Sequence, residues 1–168
     1  MAVASAAVVT GAVLAGCGSA SSTSTAVGCS TQGATSTATT KSYHYVLNVG
    51  PVQEMYAPGQ APPNARGETM FNGSMSMANG PAAQHVELHL CSAGSNRVVT
   101  NARPVMTLTD KTTGATQPLA MSTMQGLGQG QGDFHYGDNA NVPVGHAFVL
   151  AVKVNGEQAN LDFTRAGT

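Results

Sequence analysis

The sequence predicts an all-β protein: a β-sandwich of immunoglobulin-like or cupredoxin-like form with about seven strands. Short runs rich in Val, Leu, Thr and Tyr alternate polar with apolar residues, which is the two-residue period of a half-buried strand. Turn formers separate these runs at even spacing, and the 168 residues include 20 Gly and 8 Pro. Past the first residues, no segment sustains the 3.6-residue period of an amphipathic helix. The length suffices for one domain with its own core.

The chain opens with a targeting signature. Residues 1–16 are small and apolar, too few to cross a bilayer as a helix, and read as a secretory signal. Leu14-Ala15-Gly16-Cys17 resembles the lipobox of bacterial lipoproteins, although no Lys or Arg precedes Lys41. That resemblance implies a diacylglycerol on Cys17, which would anchor the protein at the extracytoplasmic face of the cell membrane or in a periplasm. Residues 17–41 are mostly Ser, Thr, Ala and Gly. They hold too little apolar surface to offset the entropy of folding, so a flexible tether is expected, with the folded domain at 42–168. Such a compartment is oxidising. Cys29 in the tether and Cys91 are then expected either to pair as a disulfide or to stay as two free thiols.

Within the domain, residues 43–49 alternate and form the first strand. Residues 51–56 are expected to continue it past a bend at Gly50-Pro51. Residues 57–67 carry three prolines and two glycines and read as a surface loop. Residues 69–72 make a weak strand, and residues 73–81 a turn bearing Met75 and Met77, both read as packing residues. Residues 84–91 form the central strand. Residues 104–109 pair through a turn at Asp110 to Ala115 with a returning arm over 116–124. A Gln/Gly loop leads to residues 133–139. Residues 146–154 are the most strongly patterned strand. Asn155-Gly156 is a favoured hairpin turn, and residues 157–163 return as the last strand.

The central strand carries the chemistry. Val86, Leu88 and Leu90 share one face, while His85, Glu87 and His89 share the other. Two imidazoles and a carboxylate in a row are conspicuous in a chain that is only 9% charged. They suit a transition metal, or else a solvated sheet face. Alternate strand residues lie roughly 6.6 Å apart, so Glu87 can share an ion with either histidine more readily than the two histidines can share one. Further ligands must come from elsewhere. His135 lies beyond the Gln/Gly loop, and Met121 and Met124 precede that loop. Thioether sulfur favours copper, imidazole accepts copper, zinc or iron, and carboxylate adds hardness. Met106 and Met121 also suit the core. His44 and His146 stand at strand starts and read as surface residues.

On these residues the domain resembles the periplasmic iron-transport lipoproteins. His85-Val86-Glu87-Leu88 is similar to that family's His-Leu-Glu-Ala. The hairpin from Met106 to Met121 falls in place, and His135-Tyr136-Gly137-Asp138-Asn139 is similar to its His-Tyr-Gly-x-Asn. The resemblance covers most of residues 43–154. It implies an immunoglobulin-like fold, a homodimer, copper binding with iron second, and work beside an iron permease in the membrane. It also implies Glu87, Met124 and His135 as ligands; His85 or His89 is expected to substitute for the family's further histidine, or else the four-ligand site is lost. This chain departs from the family in three places, one being that the family's aromatic- and acid-rich segment after the last strands is not found in it. Met124 is farther from His135 than the family's methionine, and a further family histidine falls at Lys153.

Other classes are weaker. Net charge is −1, with seven basic and eight acidic residues and no basic cluster, so nucleic acid is not an expected partner. There is no Gly-x-Ser-x-Gly elbow, no paired carboxylates and no cysteine beside a histidine, so no enzyme is expected. The rival to a metal protein is a surface interaction module on a stalk, in which the histidines would be scattered.

Overall fold

The computed structural model describes residues 28–76, 78–120 and 122–167. The signal segment, Cys17, Met77 and Met121 lie outside the described residues. The strands are β1 (Ser36–Thr39), β2 (Tyr43–Gly50), β3 (Met55–Tyr56), β4 (Glu68–Asn72), β5 (Ala83–Ser92), β6 (Val105–Asp110), β7 (Thr116–Leu119), β8 (Ser122–Gly126), β9 (His135–Asn141), β10 (Ala147–Val154) and β11 (Glu157–Thr164).

They build a seven-stranded sheet, ordered β1-β2-β5-β9-β8-β4-β3, and a four-stranded sheet, ordered β11-β10-β6-β7. The two pack face to face as a β-sandwich. One side of the core comes from Tyr45, Leu47, Val86, Leu88, Leu90 and Tyr136, and the other from Met106, Leu108, Leu150, Val152 and Leu161. The alternation expected in β2, β5, β6 and β10 therefore faces inward as patterned. Asn155 (φ 48°) and Gly156 (φ 83°) both take positive φ, as the two-residue turn between β10 and β11 requires.

Several expectations are corrected. The described sheets hold more strands than expected. Residues 51–56 do not extend β2: Pro51 has no N–H for the ladder, and the chain crosses to the opposite edge, where β3 runs parallel to β4. The arm over 116–124 splits, β7 joining the small sheet and β8 the large one. At that split, Asp138 accepts hydrogen bonds from the backbone N–H groups of Ala120 and Ser76, tying both segments to β9.

The boundary at residue 42 also falls inside the sheet. β1 pairs with β2 from Ser36↔Leu47 to Thr39↔His44, so part of the expected tether is folded. Backbone pairing and a covalent link hold this stretch, since it has little apolar surface of its own. Cys29 and Cys91 form a disulfide with Cα atoms 5.9 Å apart, across a separation of 62 residues. Closing a loop of that length limits the unfolded chain. Replacing both cysteines with serine is expected to lower unfolding free energy by about 2–4 kcal/mol. Urea denaturation of oxidised wild type against the double variant measures this, and an unchanged midpoint would refute it.

Candidate metal centre

β5 separates two environments because its side chains alternate. Val86, Leu88 and Leu90 enter the core between the sheets, while His85, Glu87 and His89 lie on the outer face of the large sheet. Register then selects their neighbours. In β9, Asn139 stands opposite His85 and Gly137 opposite Glu87. In β8, Met124 stands opposite His135, and in β4 Met70 stands opposite Met124. Glu68 lies two residues before Met70 and so shares the same face. That face is closed here: His85 is 0% exposed, His135 1%, Met124 0% and Glu68 5%. Ser122 Oγ donates to Ser74 O, which lays residues 73–76 beside it.

Glu68, His85, Glu87 and His135 each place one ligand atom within 4.8 Å of the others. Two ligands on opposite sides of one ion stand about 4.2 Å apart, so a small contraction closes the group on a single metal. Both inner imidazoles are held in the orientation a metal needs. His85 Nδ1–H donates to Asn139 Oδ1 at 2.9 Å, and His135 Nδ1–H donates to the Asp133 carbonyl at 2.8 Å. Each ring therefore turns Nε2 toward Glu68 Oε2, at 3.3 Å from His85 and 3.2 Å from His135. Anchoring the outer ring nitrogen on an oxygen acceptor is how metal-binding histidines have tautomer and direction set.

Gly137 makes the space. A Cβ there would lie 3.0 Å from His85 Nε2 and 3.3 Å from His135 Cδ2. His135 sits between the other two imidazoles, its ring centroid 5.8 Å from His85 and 5.3 Å from His89. Glu87 Oε2 lies 3.6 Å from His89 Nε2. His89, Asp133 and His135 form a second, adjoining group of ligand atoms.

The electrostatics call for a cation at the centre. Both nitrogens of His135 face oxygen acceptors, so the ring is satisfied only as imidazolium or with a metal in place of its Nε2 proton. Among the described residues, His85 Nε2 is buried without a hydrogen-bond partner. Burial pushes the Glu68 carboxyl up, but the hydrogen bond from His135 and the neighbouring His85 imidazole outweigh it and hold the pKa at about 2. Burial pushes His85 and His135 down, but the Glu68 carboxylate outweighs it and the net direction of both is up. Burial also raises Glu87, and its proximity to His89, His135 and His85 more than reverses this.

Of the residues expected from sequence, His85, Glu87 and His135 meet in one group. His89 joins through the adjoining group. Met124 is buried directly opposite His135 in the β8–β9 ladder. Met121 lies outside the described residues. Glu68 was missed because it sits at the junction of a Pro-rich loop and a weak strand. A signal was present: it is one of only eight acidic residues, placed where β-formers begin. His44 and His146, expected at the surface, are half-buried and bonded to Thr39 and Asp110. Comparison of the chain with family models, with curated proteins and with solved structures finds no match.

The pKa directions set the behaviour of the metal-free chain. Glu68, lowered to about 2, contributes stability that is present above its ordinary value and lost as pH falls toward 2. His85 and His135, both raised, contribute stability that is present below their ordinary value and lost as pH rises through their folded values. The metal-free Tm is therefore expected to fall as pH rises above about 6.5, the ordinary histidine value, and saturating Cu(II) to remove that fall, because metal binding needs deprotonated ligands. Scanning calorimetry in both states checks this, and a flat metal-free profile would contradict the coupling. Gly137→Ala is expected to keep the β-sheet circular dichroism while weakening Cu(II) binding by roughly tenfold. Wild-type affinity in that variant would show that the close approach of the rings is immaterial.

Proposed function

We propose that this protein is an extracytoplasmic metal carrier that holds one transition-metal ion on the outer face of its large sheet and passes it to a membrane transport partner. The observation that carries this reading is the convergence of two anchored imidazoles on one buried carboxylate, an arrangement that leaves a cation-shaped gap in the charge pattern. Glu68, His85 and His135 would hold the ion, with Glu87 beside them and Met124 opposite His135 in the neighbouring strand. Copper is the first choice. Cu(II) heads the affinity order for nitrogen and oxygen ligands, and a nearby thioether favours Cu(I). Iron is second, since two imidazoles and a carboxylate also suit Fe(II).

The envelope setting belongs to the same proposal. The lipobox-like Leu14-Ala15-Gly16-Cys17 supports a lipid anchor, and the disulfide between Cys29 and Cys91 is in keeping with an oxidising compartment. Kinship with the periplasmic iron-transport lipoproteins, with their immunoglobulin-like sandwich, rests on His85-Val86-Glu87-Leu88 and His135-Tyr136-Gly137-Asp138-Asn139. The partner would then be an iron permease. Transfer by ligand exchange suits a site in which Glu87 and His89 keep 20% and 10% side-chain exposure while the inner ligands are closed.

Titration of the metal-free full-length chain with Cu(II), Fe(II) and Zn(II), followed by calorimetry and elemental analysis, tests the reading. One ion per chain is expected, with Cu(II) bound more tightly than Zn(II). Glu68→Gln and His135→Ala should each weaken Cu(II) by at least the roughly 10–100-fold that loss of a supporting residue produces. Stoichiometric copper held equally well by both variants would rule the site out.

A further inference from the structure

Ligand exchange needs a position that water or a partner's ligand can reach, and the inner group is closed. Glu68, His85 and His135 are 5%, 0% and 1% exposed. The adjoining group of His89, Asp133 and His135 lies nearer solvent: His89 is 8% exposed and Asp133 is half-buried. Each of these three residues places one ligand atom within 4.8 Å of the others. A metal there would meet two imidazoles and one carboxylate. Three protein ligands leave coordination positions open for water or an incoming donor.

Asp133 is held in place beside the imidazoles. It ends the short 3₁₀ turn Gln131–Asp133, which leads into β9. Its Oδ2 accepts the Gly126 backbone N–H at 2.6 Å, which ties it to the end of β8. A Cβ on Gly126 would lie 2.6 Å from that same oxygen, so the carboxylate keeps this seat only beside glycine. A carboxylate has about four lone-pair sites, so this one bond leaves capacity for a metal.

The two groups are joined. His135 belongs to both. Its Nδ1–H is held by the Asp133 carbonyl, which leaves the ring one nitrogen for a metal, so it serves one group at a time. Glu87 links them a second way. It is a member of the inner group, yet its Oε2 lies 3.6 Å from His89 Nε2 and its side chain keeps 20% exposure. Exchanging ligands one at a time, an ion would cross from one group to the other without being released.

We propose that His89 and Asp133, with His135, form an outer relay position through which a divalent transition-metal ion enters and leaves the closed inner group. This rests on the metal-carrier reading and adds the route. The chain still holds one ion, which moves between an outer position with open coordination and an inner one without it. Two imidazoles and a carboxylate suit Cu(II), Fe(II) and Zn(II) alike, so the outer position accepts the ion and the inner group retains it.

Two measurements on the full-length, disulfide-intact chain test this. The first removes the inner ligands with Glu68→Gln and His85→Gln together and follows Zn(II) by NMR of the histidine rings. One Zn(II) is expected to remain, bound more weakly, and to shift the His89 and His135 rings. Adding Asp133→Asn should weaken it further by roughly tenfold. The second measurement leaves the inner ligands in place, so it stands whether or not that double variant folds. In stopped flow, Asp133→Asn and Gly126→Ala should each slow both Cu(II) uptake and its release to a chelator by about tenfold. A residue met in passage acts on the barrier, and hence on both directions. Wild-type rates in both variants, faster release with unchanged uptake, or a folded inner-ligand variant whose His89 ring is not shifted by Zn(II) would each overturn the relay alone. A wild-type chain that takes up no stoichiometric copper would overturn the carrier reading, and the relay with it.

Discussion

Two imidazole nitrogens meet one carboxylate oxygen in a place closed to water, at 3.2 Å and 3.3 Å from Glu68 Oε2. Burying a carboxylate is expensive unless positive charge lies beside it, and burying an imidazole nitrogen is expensive unless it has a partner. The local architecture answers that constraint. Asn139 and the Asp133 carbonyl take the outer ring nitrogens, so the inner ones have no direction left but toward Glu68. Gly137 withdraws its side chain from the point where the rings approach. A proton satisfies part of the cluster, and its ligand atoms lie close enough together to hold a metal ion.

The same strand must do two incompatible things, and the two-residue period is what allows it. Alternate residues of β5 supply the core between the sheets and the polar cluster outside them. Neither environment invades the other, because a strand side chain cannot reach around its own backbone. Among the described residues, the small sheet contributes no ligand atom to the cluster. Its part is to bury the inner face, which frees the outer face of the large sheet for polar work. At one end the separation is less complete: Asp110 and Gln117 fall on the same side of the small sheet as Leu108.

Much of this was legible in the residues. The alternation of β5, the hairpin at Asn155-Gly156 and the pairing of β6 with a returning arm follow from local pattern and turn chemistry. His85, Glu87 and His135 stood out because ionisable groups are scarce in this chain. Glu68 did not, because its only local context is a loop rich in proline and a strand too short to show alternation. Likewise Ser36 to Thr39 gave no apolar signal, since β1 is held by its ladder to β2 and by the disulfide that follows from Cys29. Splitting of the 116–124 arm between two sheets was equally silent, because both halves read as strand.

By itself the sequence determined which segments extend, where they turn, and which side chains share a face, since these depend on neighbours a few residues apart. Only the tertiary structure decided that Glu68 and His135, separated by 67 positions, belong to one site. That outcome rests on strand order and register across β5, β9, β8 and β4. A slip of one residue in any of these pairings would turn the ligand to the opposite face. Register is chosen by the whole inner face packing against the second sheet, a long-range condition that no short stretch of residues contains.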